Sequence, residues 1–176
     1  LLPIQILWIN LVTDGLPALA LGVEPAESNV MKRPPYPPRE GIFARGVGVD
    51  ILWLGSVVGA SSLAVGFFYW LEGLPQWQTM IFCTLTFAQM AHAFTAKSFT
   101  ESAFRINPLE NKSLTGAVAL TFVLQIGIIY LPVLQGFFDT VPLTGWDMLL
   151  SIGLGSAVFW GYETKKFIQR RRVLDR

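Results

Sequence analysis

The apolar positions of this chain fall into five long runs, at about 5–23, 47–71, 77–96, 115–134 and 146–162. Each is close to the ~20 residues that a helix needs to cross a ~30 Å hydrocarbon core. The pattern predicts five transmembrane helices and an all-α, polytopic membrane bundle. The third run is the most polar, with Gln78, Thr79, Thr84, Thr86, Gln89 and His92. Alone it could be a buried helix of a soluble domain. Five such runs within 176 residues argue against that.

Composition sharpens the picture. Charged residues are 14% of the chain, against roughly 25% in a soluble domain. The single cysteine, Cys83, lies in an apolar run, so an intrachain disulfide framework is excluded and a packing role is expected. Charge placement then orients the runs. The basic residues gather in the connection 24–46 (Lys32, Arg33, Arg39, Arg45), in the connection 97–114 (Lys97, Arg105, Lys112) and in the tail 163–176. The connections 72–76 and 135–145 hold none. Alternation of this kind predicts that the basic loops and the C-terminus are cytoplasmic. Trp70, Trp77 and Trp146 fall near the opposite boundary, where aromatic belts form. The basic tail reads as an anchor and, secondarily, as a site for anionic membrane lipid. No feature suggests a nucleic-acid partner. No secretory signal is visible, and Leu1 stands at a loop-to-helix junction. The chain is therefore expected to be a piece of a longer protein.

The candidate chemistry lies in the first run. Asp14 is a carboxylate inside an apolar segment, where charge is expensive and usually functional. Asn10, Thr13 and Asp14 stand at i, i+3 and i+4, and share one face of an α-helix. Pro17 has no N–H, so the Thr13 carbonyl loses its helical donor, and Gly15 lets the backbone bend. Carboxylate, amide, hydroxyl and freed carbonyl oxygens suit a hard cation such as Ca²⁺. Broken helices of this kind build ion sites in transporters. A structural ion pair is the rival explanation of Asp14. No basic residue lies inside any of the five runs to make one.

These residues also carry a resemblance. N-L-V-T-D-G-L-P-A-L-A-L-G, then E-P-A and M-K-R-P-P, resembles the sixth transmembrane helix and following cytoplasmic loop of P-type Ca²⁺-transporting ATPases, in particular the sarcoplasmic-reticulum-like group and its prokaryotic relatives. The later runs are similar in order and spacing to helices seven to ten, half of a ten-helix membrane domain. The resemblance implies metal ligands at Asn10, Thr13 and Asp14. It also sets Gln89 where two-site pumps carry a glutamate, so that one Ca²⁺ per cycle is expected. Gln89 is equally suited to an interhelical hydrogen bond, and His92 to packing. Gly55 and Gly59 form a G-x-x-x-G that would pack against the fifth helix of the family. Arg33, Pro34 and Pro35 would belong to a stiff loop beneath the phosphorylation domain.

No D-K-T-G motif and no Gly-rich nucleotide loop occur. ATP, Mg²⁺ and the phosphorylated aspartate would belong to the remaining N-terminal part of the pump, with the fourth and fifth helices. The piece alone is expected to be inactive. The emptied carboxylates would carry protons back, and a prokaryotic plasma membrane is the expected location. Three other readings stay open: a secondary cation/H⁺ exchanger, a P-type pump for Mn²⁺ or Na⁺, and a membrane scaffold without transport. An exchanger should show an inverted repeat, which the five unlike runs do not. A scaffold leaves Asp14 and Pro17 unexplained.

Overall fold

The computed structural model describes residues 1–23, 37, 41, 43, 46–96 and 111–174, with side chains as far as 167. Helices account for almost all of it, and no strand occurs among the described residues. The first membrane segment, Pro3–Gly22, is built from α1 (Pro3–Trp8), a π-helical stretch (Ile9–Asp14) and α2 (Gly15–Gly22). Then come α3 (Val47–Leu71), α4 (Trp77–Ala96), α5 (Lys112–Tyr130), α6 (Pro132–Phe138) and α7 (Gly145–Leu174). The first segment, α3 and α5 are each long and apolar enough to cross a membrane. The protein is a helical membrane bundle.

The least apolar of the long helices up to α5 lies at the centre. In α4, Met80, Phe82, Cys83, Thr84, Thr86 and Ala88 have no solvent exposure. Its neighbours are α7, α3, α5 and the π stretch. Polar side chains on α4 therefore meet protein rather than lipid. Thr79 Oγ1 accepts from Val141 N at 2.9 Å, and Thr86 donates to Phe82 O at 2.9 Å. By contrast, α3 turns Val49, Leu52, Leu63, Phe67 and Phe68 outward. A polar helix inside and an apolar one outside is what lipid as solvent favours.

The register follows from single contacts. Ser151 on α7 meets Met80, Gly155 meets Ala88, and Lys166 meets Thr95, so α4 and α7 run parallel. Tyr69 meets Asp147 and Asp50 meets Lys165, so α3 runs antiparallel to α7. The turn from α3 to α4 is closed by Gly73 at φ 69°, with Leu74 N donating to Tyr69 O at 2.9 Å. That is a left-handed helix stop, which glycine adopts without a Cβ clash.

Two boundaries differ from the sequence expectation. The fourth run was expected to be one helix over 115–134. Instead α5 ends at Tyr130, Leu131 is extended (φ −86°, ψ 120°), and Pro132 opens α6 as its first residue. Proline disfavours helical geometry in the residue before it, yet is well suited to a first turn. The residues from 163 onward, expected to be a tail, continue α7 to Leu174. The start of α7 is a reciprocal cap: Thr144 N donates to Asp147 Oδ2 at 3.0 Å, and Asp147 N donates to Thr144 Oγ1 at 3.2 Å.

Candidate cation site in the first membrane segment

The first segment does not break at Pro17. It stays helical by widening into a π turn over Ile9–Asp14. Such turns shift the backbone bonds from i→i+4 to i→i+5 and recur at functional sites. Proline removes a donor one turn downstream, and one extra residue in the preceding turn is how the helix absorbs the mismatch. Gly15 has ordinary helical geometry (φ −64°, ψ −47°), so the bend expected there is not made.

The π turn also overturns the shared face. Asn10 and Asp14 are exposed on the side of the segment, whereas Thr13 is 1% exposed and points into the bundle. The i, i+3, i+4 rule assumes about 3.6 residues per turn, and a wider turn carries the i+3 residue around to another side.

Thr13 meets the third candidate helix. Its Oγ1 lies 2.6 Å from Ile9 O and 2.6 Å from Gln89 Oε1 on α4. The structure therefore joins Thr13 to Gln89, and separates both from the exposed pair Asn10 and Asp14. Further amides join the first segment to α6 and α5. Gln5 Nε2 donates to Phe138 O at 2.9 Å, and Trp8 Nε1 donates to Gln125 Oε1 at 2.9 Å. Gln125 Nε2 lies 3.7 Å from Cys83 Sγ, in the packed interior expected for that cysteine. Sequence reasoning passed over Gln5 and Gln125. The available signal was a lone amide inside an apolar run.

Asp14 makes no ion pair among the described residues. Nor do any three His, Cys, Asp or Glu side chains among them converge on a metal-sized site. What the segment presents is one carboxylate and one amide, side by side on an open face. That is part of an oxygen ligand set rather than a whole one.

Residues 1–168 match the family model described as "Cation transporting ATPase, C-terminus". The chain belongs to this family. Among curated proteins it is similar to the "Calcium-transporting ATPase" of Bacillus subtilis (strain 168), 44% identical over 159 residues, covering 89% of this chain and 18% of that protein. It is 34% identical over 172 residues to the human "Calcium-transporting ATPase type 2C member 2", covering 94% and 18%. It is 35% identical over 173 residues to the mouse "Calcium-transporting ATPase type 2C member 1", covering 96% and 18%. The chain spans about a fifth of the length of the curated relatives it matches. It is thus the C-terminal membrane region of a cation-transporting ATPase, an integral membrane protein.

Within this ATPase region the G-x-x-x-G is not the tight contact. A Cβ at Gly55 or Gly59 would meet nothing within 4 Å. The close approaches fall at Gly66 beneath Ile81, at Gly161 beneath Trp53, and at Gly155, where a Cβ would stand 2.8 Å from Ala88 N. Arg33, Pro34 and Pro35 lie outside the described residues.

A second missed cluster ties α3, α4 and α7 near the start of α3. Lys165 pairs with Asp50 and stands 5.8 Å from the centre of the Tyr162 ring. Lys166 is 3% exposed, and its Nζ donates to Thr95 O at 3.2 Å and to Glu163 Oε1 at 3.4 Å. His92 Nδ1 lies 3.1 Å from Thr95 Oγ1, and its ring packs on Tyr162 at 5.8 Å. These two lysines, read from sequence as tail charges, hold helices together.

Proposed function

We propose that this chain is the C-terminal membrane half of an ATP-driven Ca²⁺ pump, and that Asp14 and Asn10 face the transported ion. The observation that carries the reading is the Asp14 carboxylate, exposed beside Asn10 and without an ion pair among the described residues. A carboxylate inside a membrane segment needs a partner. In this reading the partner is the cation, and the remaining ligands, Thr13 among the candidates, come from both halves of the membrane domain. Similarity to calcium-transporting ATPases supports Ca²⁺ as cargo. ATP and Mg²⁺ act in the N-terminal part, whose phosphorylation domain tilts the helices and changes the side and affinity of the site. The C-terminus and the basic loops are cytoplasmic by the charge rule. The emptied carboxylates take up protons, so that H⁺ is countertransported. A prokaryotic plasma membrane is the location this reading favours.

Asp14→Asn in the full-length protein tests it. Ca²⁺-dependent phosphorylation by ATP should be abolished, because one of the few charges opposing a divalent ion is lost. Phosphorylation from inorganic phosphate, which needs an empty site, should survive. If the variant binds Ca²⁺ with parental affinity, Asp14 is not a ligand.

Stoichiometry is the second test. Gln89 brings no charge to the site, and its contact with Thr13 supports a packing role as much as a ligand role. One Ca²⁺ per phosphoenzyme is expected, with a Hill coefficient of about one, since a second divalent ion would lack a carboxylate from α4. Equilibrium binding of ⁴⁵Ca²⁺, normalised to phosphoenzyme, measures it. Two cooperatively bound ions would show that other residues supply the charge.

A further inference from the structure

Thr13 has two oxygen neighbours and one proton. Its Oγ1 stands 2.6 Å from both Ile9 O and Gln89 Oε1. Both separations are short hydrogen-bond distances, yet a hydroxyl donates only once. A half-turn of the Gln89 amide exchanges its oxygen and nitrogen. Nε2 then donates to Thr13 Oγ1 and Thr13 donates to Ile9 O, which removes the competition for the one hydroxyl proton. The arrangement is a chain of two hydrogen bonds running from α4 into the π turn.

That chain acts where the π turn needs support. In an α-helix Ile9 O would accept from Thr13 N; in a π turn it accepts from the residue beyond. The Thr13 hydroxyl adds a second bond to the same carbonyl, and the Gln89 contact holds it in that orientation. Turned this way, Thr13 is 1% exposed, while Asn10 and Asp14 remain together on the open face. If the turn relaxed to α geometry, all three residues would share a face, and the position of the Asp14 carboxylate would change with it.

We infer that Gln89 is a positioning residue of the cation site: it holds Thr13 against α4, keeps the turn in its π form, and so sets where Asn10 and Asp14 present their oxygens. The inference rests on the reading of Asp14 as an ion ligand. It assigns Gln89 an effect on ion affinity without contact with the ion, and it makes the effects of Gln89 and Thr13 one effect.

The experiment uses the full-length protein with Gln89→Leu, Thr13→Val, the double variant and Thr13→Ser. Three quantities are read: the Ca²⁺ concentration for half-maximal phosphorylation by ATP, phosphoenzyme formed from inorganic phosphate without Ca²⁺, and the melting temperature in detergent. Gln89→Leu and Thr13→Val should each raise the half-saturating Ca²⁺ concentration about tenfold, the size expected of one buried coupling. The double variant should match either single one. Thr13→Ser, which keeps the hydroxyl, should stay near the parent. Phosphorylation from inorganic phosphate should not change, and melting should fall no further than the loss of one buried hydrogen bond allows. Should Gln89→Leu fail to fold, Gln89→Met keeps the volume without the donor and should show the same shift. The inference is overturned if the single effects multiply to about a hundredfold, as independent ligands would give. It is equally overturned if Gln89 variants keep parental affinity, or if phosphate-driven phosphorylation and melting fall in step. Asp14→Asn separates the two failures. Its retention of Ca²⁺-dependent phosphorylation sinks the ion reading itself, whereas its loss beside a parental Gln89→Leu sinks only the positioning role.

Discussion

The seam between α4 and α7 and the outward face of the first segment and α3 use the same residue types to opposite ends. In the seam, Gly155 brings α7 against the backbone of α4, with no room for a side chain. Lys166 there reaches a partner within the bundle at Thr95 O, whereas the Thr84 hydroxyl is buried without a hydrogen bond among the described residues. On the outward face, Gly55 and Gly59 have open space, and Asn10 and Asp14 are exposed. Small and polar residues on a membrane helix therefore mark either a contact already made or one that another part of the protein makes. Only the geometry around each residue tells which.

Gly155→Leu should be the most damaging change. The obstructing atom is Ala88 N, a backbone atom that cannot swing aside. The cost should be at least about 3 kcal/mol, the upper range of overpacking in a filled core. A melt of the full-length protein in detergent should fall sharply or show no cooperative transition. A parental melting curve would mean that the seam is looser than it looks.

Asp147→Ala comes next. Asp147 accepts from the Tyr69 hydroxyl and from Thr144 N, tying α3 to the cap of α7. Loss of a cap together with a buried hydrogen bond should cost about 2 kcal/mol. The same melt would register it, and Asp147→Asn, which keeps an acceptor, should recover part of the loss.

Gly59→Leu should be mildest, and it probes the open side of the comparison. Among the described residues a Cβ at this position meets nothing within 4 Å. In the full-length protein it should hold neighbouring helices apart and weaken assembly by about 1 kcal/mol, with ion affinity little changed. Lost Ca²⁺ affinity at unchanged detergent stability would contradict a packing role for this glycine.

The helices were legible in the sequence because lipid forces a simple rule. Runs of about twenty apolar residues predict helices of spanning length; the runs at 47–71 and 77–96 coincide with the helices α3 and α4, of which α3 is apolar enough to cross. Local chemistry within the runs was harder to read. Pro132 was absorbed into an apolar run, although a proline there also signals the first turn of a new helix. Lys165 and Lys166 looked like tail charges, because nothing local announces Asp50 or the Thr95 carbonyl as partners. The site divides in the same way. Asp14 stands out by the cost of a charge in lipid. The π turn does not, since identical residues fit an α-helix until Pro17 is weighed against tertiary contacts. The Thr13–Gln89 bond joins residues 76 positions apart, and pairing of that kind is not written in any local pattern.

The length of α7 has a mechanical meaning. At 30 residues it measures about 45 Å, against a hydrocarbon core of about 30 Å. In the five-span topology that the sequence predicts, a stiff rod longer than the layer must lean or protrude. Lys166, held at Thr95 O near the end of α4, makes a fulcrum between the two parallel helices. From there to Leu174 is about 12 Å of helix, so a small tilt about that fulcrum becomes a sideways displacement that grows along the helix.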